Sequence, residues 1–219
     1  MKNIFFTAAT FVLLTTFSTS ISAQFRNSPA NQDAKVRSIL KNVMSNFQES
    51  TAISFDAAIV NRDPKKEEIS RQKAKVLLSG SKYRITIDDM VVCCDDKAMY
   101  SIDNAAKEIT INPISDSETD IFNPAKLLKN YDKNFRSKLI RDERTQYVVD
   151  LNPRTKQNYH KIRLLINKSS YQITKVEVYN YNASRNECTI SQYTKTSAND
   201  ADFTYDASKY KGYEVIDMR

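Results

Sequence analysis

The residues able to perform acid–base or nucleophilic chemistry are few in this chain. His160 is the one histidine, standing between Tyr159 and Lys161 at the start of a predicted strand, so no second histidine is available for a metal pair. Cys93 or Cys94 with His160 is the one nucleophile–base pair that the chain offers, and nothing in their spacing supports it. We therefore predict no catalytic residues, no metal site, no cofactor and no enzyme activity.

The paired carboxylates do not change this prediction. Asp88–Asp89, Asp95–Asp96 and Glu67–Glu68 fall at predicted turns or strand ends, where solvated charges are usual. Three cysteines are too few for a disulfide scaffold. Cys93 and Cys94 are neighbours on a predicted strand and point to opposite faces, so at most one of them can meet Cys188. Such a bridge is possible but not required.

Composition narrows the function classes further. The chain has 219 residues, a formal net charge of +7 and only two glycines, which excludes the Gly-rich phosphate cradles of nucleotide-binding proteins. The basic residues are spread over outward strand positions and loops, so no compact platform for nucleic acid forms. A weak positive charge of this kind favours transient contact with anionic membrane surfaces or acidic docking partners.

The first 23 residues predict a signal peptide. Lys2 gives a short basic start, an uncharged apolar run follows from Ile4 to Phe17, and small residues lead up to Ala23. The run is short for spanning a bilayer. We expect cleavage after Ala23, export, and a soluble single domain over residues 24–219.

Elements able to position a binding site follow the signal segment. Over residues 31–50, apolar residues recur at helical spacing and predict an amphipathic helix: Val36, Ile39, Leu40, Val43, Met44 and Phe47. After Ser50 the period becomes two, which predicts about eleven strands with short turns and an antiparallel meander. Residues 121–131 predict a short middle helix, with Asn123 as cap and Pro124 in its first turn.

We therefore predict a mainly β fold: one strongly curved antiparallel sheet, or incomplete barrel, with both helices against its concave face. Alternation predicts an uncharged inward set: Ile53, Phe55, Ile59, Val76, Leu78, Tyr83, Ile85, Ile87, Tyr100, Ile109 and Ile111. A curved sheet of this size can enclose an apolar cavity. A fully packed core without a ligand fits the same alternation.

After the helix, the chain carries a series of segments in this order: Ala52-Ile-Ser-Phe-Asp-Ala, Val76-Leu-Leu-Ser-Gly-Ser-Lys-Tyr-Arg-Ile, Val92-Cys-Cys-Asp-Asp-Lys-Ala-Met-Tyr, Asn123-Pro-Ala-Lys-Leu-Leu, Val149-Asp-Leu-Asn-Pro, Lys161-Ile-Arg-Leu-Leu-Ile-Asn-Lys, Tyr171-Gln-Ile-Thr-Lys-Val, Phe203-Thr-Tyr-Asp and Gly212-Tyr-Glu-Val-Ile-Asp-Met-Arg. Taken together, these segments resemble the LolA family of periplasmic outer-membrane lipoprotein carriers. The similarity runs over nearly all of residues 24–219, and it rests on the ordered set rather than on any one motif.

The resemblance implies a monomeric periplasmic chaperone that binds lipoprotein acyl chains under a helical lid. It also implies a shuttle from an inner-membrane lipoprotein-releasing ABC transporter to an outer-membrane acceptor. The alternative is a paralogue that binds another lipid, or that senses lipid or lipoprotein in the envelope without transport. The predicted lipid-binding residues are Leu40, Val43, Met44, Phe47, Phe55, Ile59, Val76, Leu78, Tyr83, Ile85, Tyr100, Phe122 and Leu127.

The chain departs from the family pattern in three places. An Asp-Gly-Lys turn is replaced by Asp95-Asp96-Lys97, and a tryptophan by Tyr100 or Met99. The arginine that latches lid to barrel in some members has Lys82 and Arg84 as its nearest candidates.

Overall fold

Alternating apolar residues produce the strands that dominate this fold. The computed structural model describes residues 29–47, 52–114 and 127–219. Within these ranges the twelve strands are β1 (Ala52–Arg62), β2 (Glu68–Ser79), β3 (Lys82–Ile87), β4 (Met90–Cys94), β5 (Ala98–Asp103), β6 (Glu108–Pro113), β7 (Phe135–Asp142), β8 (Gln146–Pro153), β9 (Tyr159–Asn167), β10 (Ile173–Asn180), β11 (Arg185–Thr196) and β12 (Glu214–Asp217).

Helices form a small part of the described structure. Helix α1 (Pro29–Ser45) precedes the sheet, α2 (Tyr131–Asn134) leads into β7, and two 3-10 helices (Asp200–Asp202 and Ala207–Lys209) follow β11. The prediction of an amphipathic first helix is confirmed. Of the predicted middle helix, Leu127 and Leu128 are helical, while Asn123 and Pro124 lie outside the described residues. No helix among the described residues is long and apolar enough to cross a membrane.

All twelve strands form one sheet in the order β12-β6-β5-β4-β3-β2-β1-β11-β10-β9-β8-β7. Strands β7 and β12 are its two edges, so the sheet is not closed, which is consistent with the predicted incomplete barrel. The pairs from β6 round to β7 are antiparallel. Strand β12, which was not predicted, pairs in parallel with β6, and the predicted antiparallel sheet is otherwise confirmed.

The register separates two faces of the sheet, because directly paired residues point to the same side. On the helix-side face, Leu78 pairs with Tyr83, and Tyr83 with Cys94. This face carries the large core cluster that includes the α1 stripe. On the outer face, Cys93 pairs with Tyr100, and Tyr100 with Ile111. The expectation that Tyr100, Ile109 and Ile111 point inward with Leu78 and Tyr83 is therefore wrong.

The outer face is covered over β4–β6 by the segment that follows β11. Tyr205, Tyr210 and Tyr213 of this segment pack on a second apolar cluster that contains Tyr100 and Ile109. The Tyr213 hydroxyl donates to the Asn104 side chain at 3.1 Å, and the Glu214 N–H donates to the Lys107 carbonyl at 2.9 Å. Apolar residues on this face therefore pack under the C-terminal segment, which explains their burial without an inward position.

The outer face of β8–β11 is charged instead. The Glu187 carboxylate, which is 6% exposed, accepts from Arg62 Nε at 2.9 Å and from Lys175 Nζ at 2.8 Å. The Asp150 carboxylate, also buried, accepts two hydrogen bonds from Arg163 at 2.7 and 2.9 Å. Buried carboxylates require such partners. The two faces of the same sheet thus differ: the helix side carries the large apolar cluster, and the outer side of β8–β11 carries buried carboxylates with their cationic partners.

Candidate lipid-binding face

The candidate site begins with the apolar stripe of α1. Leu40 and Val43 are fully buried, and Phe47 is nearly so, because spacing of three to four residues places them on one side of the helix. Met44 is half-buried and packs against the same core cluster. The helix ends in two tight turns, in which the N–H groups of Asn46 and Phe47 donate to the Val43 and Met44 carbonyls at 3.1 and 3.0 Å.

The sheet supplies the other side of this cluster. Phe55 and Ile59 on β1 belong to this cluster, so their side chains point to the helix side of the sheet. The members contributed by β2, β3 and the helical turn at 127–128 are Val76, Leu78, Tyr83, Ile85 and Leu127. The structure therefore brings together eleven of the thirteen predicted lipid-binding residues. Tyr100 lies on the outer face, and Phe122 lies outside the described residues.

The core cluster continues beyond the predicted residues. Residues of β8, β9 and β10 that the sequence analysis did not select extend the same apolar face: Val149, Leu151, Ile162, Leu164, Ile166, Ile173, Val176 and Val178. Period-two alternation marks these residues as a buried set, and register then assigns them to the helix side. In the structure α1 lies on this face nearest to β7 and fills the space over it with its own stripe.

The Tyr193 hydroxyl is an unpaired polar group at this apolar region in the described structure. Tyr193 on β11 stacks on Phe55 with ring centroids 6.4 Å apart, and its hydroxyl is buried without a hydrogen-bond partner in the described structure. Burial raises the pKa of Tyr193 to about 12, so the hydroxyl stays protonated. The three cysteines are buried and form no disulfide bond; Cys94 and Cys188 belong to the helix-side cluster, and Cys93 lies on the outer face.

A small set of polar contacts ties α1 to the sheet. Lys35 pairs with Asp142 at the end of β7, and Asp142 also pairs with Lys168. At the other end of the helix, Asn46 Nδ2 donates to the carbonyls of Ser170 and Tyr171, both at 3.1 Å. The hydrogen bonds from Lys168 and Lys35 hold the pKa of Asp142 below its usual range.

The two candidate latch residues do not reach the helix. Lys82 and Arg84 point to the outer face, where Lys82 pairs with Asp200 at 2.6 Å. Arg84 Nη1 donates to the Asp202 carbonyl at 3.4 Å and lies 3.2 Å from Cys93 Sγ. Both side chains therefore hold the C-terminal segment. The contacts that hold α1, from Lys35 and Asn46, have no periodicity and no motif by which the sequence could have revealed them.

The histidine and the cysteines that were considered for catalysis lie far from each other in the sheet. His160 is exposed on β9 and packs against Tyr179 and Tyr181, whereas Cys93 and Cys94 lie on β4 beyond five intervening strands. Burial raises the pKa of Cys93 to about 11, which removes its nucleophilic form at neutral pH. No group of three or more possible metal ligands occurs in the described part of the chain.

Comparison with known proteins gives the family. The sequence model of the outer membrane lipoprotein carrier protein LolA matches residues 78–206, more than half of the chain. A comparison with curated proteins found no match.

Solved structures with a similar fold are distant in sequence. An uncharacterised conserved protein from Thermus thermophilus has a TM-score of 0.56 at 13% identity, over 84% of this chain and 99% of that one. A LolA superfamily protein from Nitrosomonas europaea has a TM-score of 0.45 at 16% identity, over 78% of this chain and 97% of that one. A domain classed with outer membrane lipoprotein-sorting proteins, from Vibrio parahaemolyticus, has a TM-score of 0.42 at 14% identity, over 75% and 94%. With its open twelve-stranded sheet and its helix-covered apolar face, this chain belongs to the LolA family of outer membrane lipoprotein carrier proteins.

Proposed function

We propose that this protein is a periplasmic chaperone that binds the acyl chains of lipoproteins between α1 and the helix-side face. It carries them from the inner to the outer membrane without catalysing a reaction. The observation that carries this proposal is the way α1 covers that face. Apart from the half-buried Met44, its stripe is buried on a broad apolar surface, yet it contributes nothing to the hydrogen-bonded ladder of the sheet.

Moving α1 off the sheet therefore breaks few polar contacts. The ladder stays intact when the helix moves, and the polar contacts with the sheet side that break among the described side chains are the Lys35–Asp142 pair and the Asn46 hydrogen bonds. Lys35 and Asp142 are both partly exposed, and pairs of that kind contribute about 0.5 kcal/mol. Most of the free energy that keeps α1 in place comes from its apolar stripe, and acyl chains that take the place of the stripe restore that burial.

Acyl chains are a suitable replacement for the stripe. Burying one methylene group gains about 0.8 kcal/mol relative to water, and a bilayer offers the same gain. Transfer of a lipid from a bilayer to this face is thus close to neutral in free energy. Small differences in how firmly α1 is held then decide the direction of transfer, and no hydrolysis by the carrier is needed.

The proposed lining is the part of the predicted set that the structure gathers under α1: Leu40, Val43, Met44, Phe47, Phe55, Ile59, Val76, Leu78, Tyr83, Ile85 and Leu127. Tyr100 is left out of it because that ring lies on the outer face.

We further propose removal of residues 1–23 on export, one domain over residues 24–219, and a monomer in the periplasm. Its partners are acylated lipoproteins, an inner-membrane releasing ABC transporter and an outer-membrane acceptor.

The test is binding of a triacylated lipopeptide, with the same peptide lacking its acyl chains as the matched ligand. We expect saturable binding of the acylated peptide alone. A variant with K35C and D142C, joined by a short bismaleimide, tethers α1 to β7. Because α1 must move to admit acyl chains, this protein is expected to lose binding at least tenfold.

The control for the tether is the same double-cysteine protein blocked with N-ethylmaleimide, which carries the substitutions without the link. It should bind as the untreated protein does. Absence of saturable binding by the native protein, or equal binding by the tethered and blocked forms, would show that no lipid enters under α1. Binding of a free phospholipid but not of the lipopeptide would instead favour the paralogue with another lipid cargo.

A further inference from the structure

A cavity of about 340 Å³ lies on the outer face, on the opposite side of the sheet from the α1 stripe. Its lining residues come from β1, β2 and β3, from the end of β11 and from the segment that follows β11. Lys75 on β2 and Arg84 on β3 are its cationic lining residues. Lys75 pairs directly with Thr86, and Arg84 with Leu77, which places both cations on the outer face.

The charges of these two cations are not balanced by ion pairs. Arg84 contacts the Cys93 sulfur and the Asp202 carbonyl oxygen, neither of which carries a full charge. Lys75 forms no ion pair in the described part of the chain, although Asp56 stands opposite it on β1. Two cations with unused donors at one cavity favour an anionic ligand.

The other polar lining groups are suited to the same ligand. The carboxylate among them, Asp202, already accepts the Asn199 N–H at 2.8 Å in the capping box of a 3-10 helix, so it is tied into the protein's own structure. Four hydroxyls complete the polar lining: those of Ser54, Thr86, Thr196 and Ser197. Hydroxyls donate to phosphate oxygens, and guanidinium groups bind them in a fork geometry.

We propose that this cavity binds the phosphate group of a small phosphate ester, with Arg84 and Lys75 neutralising its charge and the hydroxyls donating to its oxygens. The volume admits the phosphate with a short alcohol such as glycerol. That chemistry has two sources, a free phosphate ester and the headgroup of an anionic phospholipid. Apart from Val76, which belongs to both linings, the site is formed by different residues from the acyl-binding face, and it does not depend on that function.

The first experiment is an NMR titration of the full exported chain with glycerol 3-phosphate, and with glycerol as the neutral match. We expect saturable shifts of the backbone amides at Lys75, Thr86, Thr196 and Ser197, with a millimolar Kd that rises with salt because charge attraction is screened. Glycerol should leave these amides unmoved.

A pair of matched variants tests whether the site is local. K75Q removes the cavity lysine, while K73Q removes an exposed lysine on the same strand and face that does not line the cavity. K75Q should raise the Kd about fivefold, as expected for loss of one charge-assisted hydrogen bond, and K73Q less than twofold. Both side chains are exposed, so unchanged amide spectra away from the site verify the fold. Equal weakening by the two variants would mean diffuse attraction and would overturn the proposal.

The second experiment distinguishes the two sources. The amount of protein that floats with phosphatidylglycerol vesicles is compared with the amount that floats with phosphatidylcholine vesicles, for the native protein and for both variants. If K75Q weakens binding to phosphatidylglycerol, K73Q does not, and glycerol 3-phosphate does not bind, the site recognises a lipid headgroup. Binding of glycerol 3-phosphate assigns it to a free ester. If neither ligand binds in a Lys75-dependent way, the cavity is not a phosphate site.

Discussion

Two tyrosine hydroxyls on neighbouring strands have opposite environments. The Tyr193 hydroxyl on β11 is buried and unpartnered in the described structure, whereas the Tyr179 hydroxyl on β10 donates to Glu177 at 2.7 Å. A buried hydroxyl without a partner loses its hydration without compensation, at a cost of about 1–3 kcal/mol. The same chemical group therefore destabilises the fold at one position and stabilises it at the other.

We predict that Y193F raises the free energy of unfolding by about 1 kcal/mol, because it removes an unpaired polar atom and leaves the ring stacked on Phe55. Y179F is the matched variant and should lower it by about 1.5 kcal/mol, since the hydrogen bond to a carboxylate is lost. For a chain of this length, each kcal/mol corresponds to about 2–4 °C in Tm. Urea and thermal unfolding measure both values. Destabilisation of equal size in the two variants would mean that the Tyr193 hydroxyl has a partner.

In the turn between β4 and β5, an aspartate occupies the position that is glycine in the family pattern. Asp96 has a φ of +69°, the left-handed region that favours glycine. Aspartate is one of the residues that tolerate this region. Its carboxylate accepts from the Ser81 hydroxyl at 2.7 Å, and the neighbouring Asp95 accepts the N–H groups of Lys97 and Ala98, both at 2.9 Å. Side-chain hydrogen bonds thus hold a turn that glycine would adopt without strain.

Helix α1 and strand β7 meet through charges that respond to pH. The pKa of Asp142 is lowered by hydrogen bonds from Lys168 and Lys35, so its ionised form favours the folded arrangement. This contribution is complete above the unfolded pKa of about 3.9, and it is lost as the pH falls through the lowered folded value. Acid should therefore loosen the end of α1 before it affects the apolar stripe.

We predict that D142N makes amide hydrogen exchange in α1 about two- to threefold faster at neutral pH, because the helix loses a surface ion pair of about 0.5 kcal/mol. Exchange in β1 and β11 at the centre of the sheet should not change. D132N, which replaces an exposed carboxylate in α2, serves as the control. Hydrogen exchange with mass spectrometry measures all three regions. Equal acceleration in the sheet would mean that Asp142 stabilises the fold as a whole.

The strands could be predicted well from the sequence because alternation is a strong signal where one face is buried. Eleven strands were found in this way, and β12 was not, since its four residues are all exposed and show no alternation. Alternation also leaves open which face is the inner one. The assignment of Tyr100, Ile109 and Ile111 to the inside was wrong because the C-terminal segment makes the outer face of β4–β6 apolar too.

The candidate site could be predicted only in its apolar part. The α1 stripe follows directly from helical spacing, and the structure buries Leu40, Val43 and Phe47 together as expected. The polar contacts at the helix ends depend on the relative positions of segments more than 100 residues apart, such as Lys35 and Asp142. No local pattern carries that information. The same reason explains why the Lys75–Arg84 cavity was not predicted: residues of β1–β3 line it together with Thr196, Ser197 and Asp202, which lie more than 100 residues further along the chain.

The molecule as a whole should become more stable and yet locally looser when it takes up lipid. A ligand present at 100 times its Kd stabilises the folded state by about 2.7 kcal/mol. We predict a rise in Tm of about 5–10 °C with the triacylated lipopeptide, together with faster hydrogen exchange in α1, which has left its place on the sheet. The deacylated peptide should change neither quantity. Stabilisation with slower exchange in α1 would mean that lipid binds elsewhere.

The order of the strands also bears on how the chain acquires this fold. Strand β1 lies between β2 and β11, and Arg62 at its end pairs with Arg185. One side of β1 therefore has no partner until almost the full length has been synthesised, and pairings between such distant residues form slowly. A nascent chain of this topology cannot complete its sheet until β11 has been made, because the β1–β11 pairing joins two runs of sequential neighbours, β1–β6 and β7–β11.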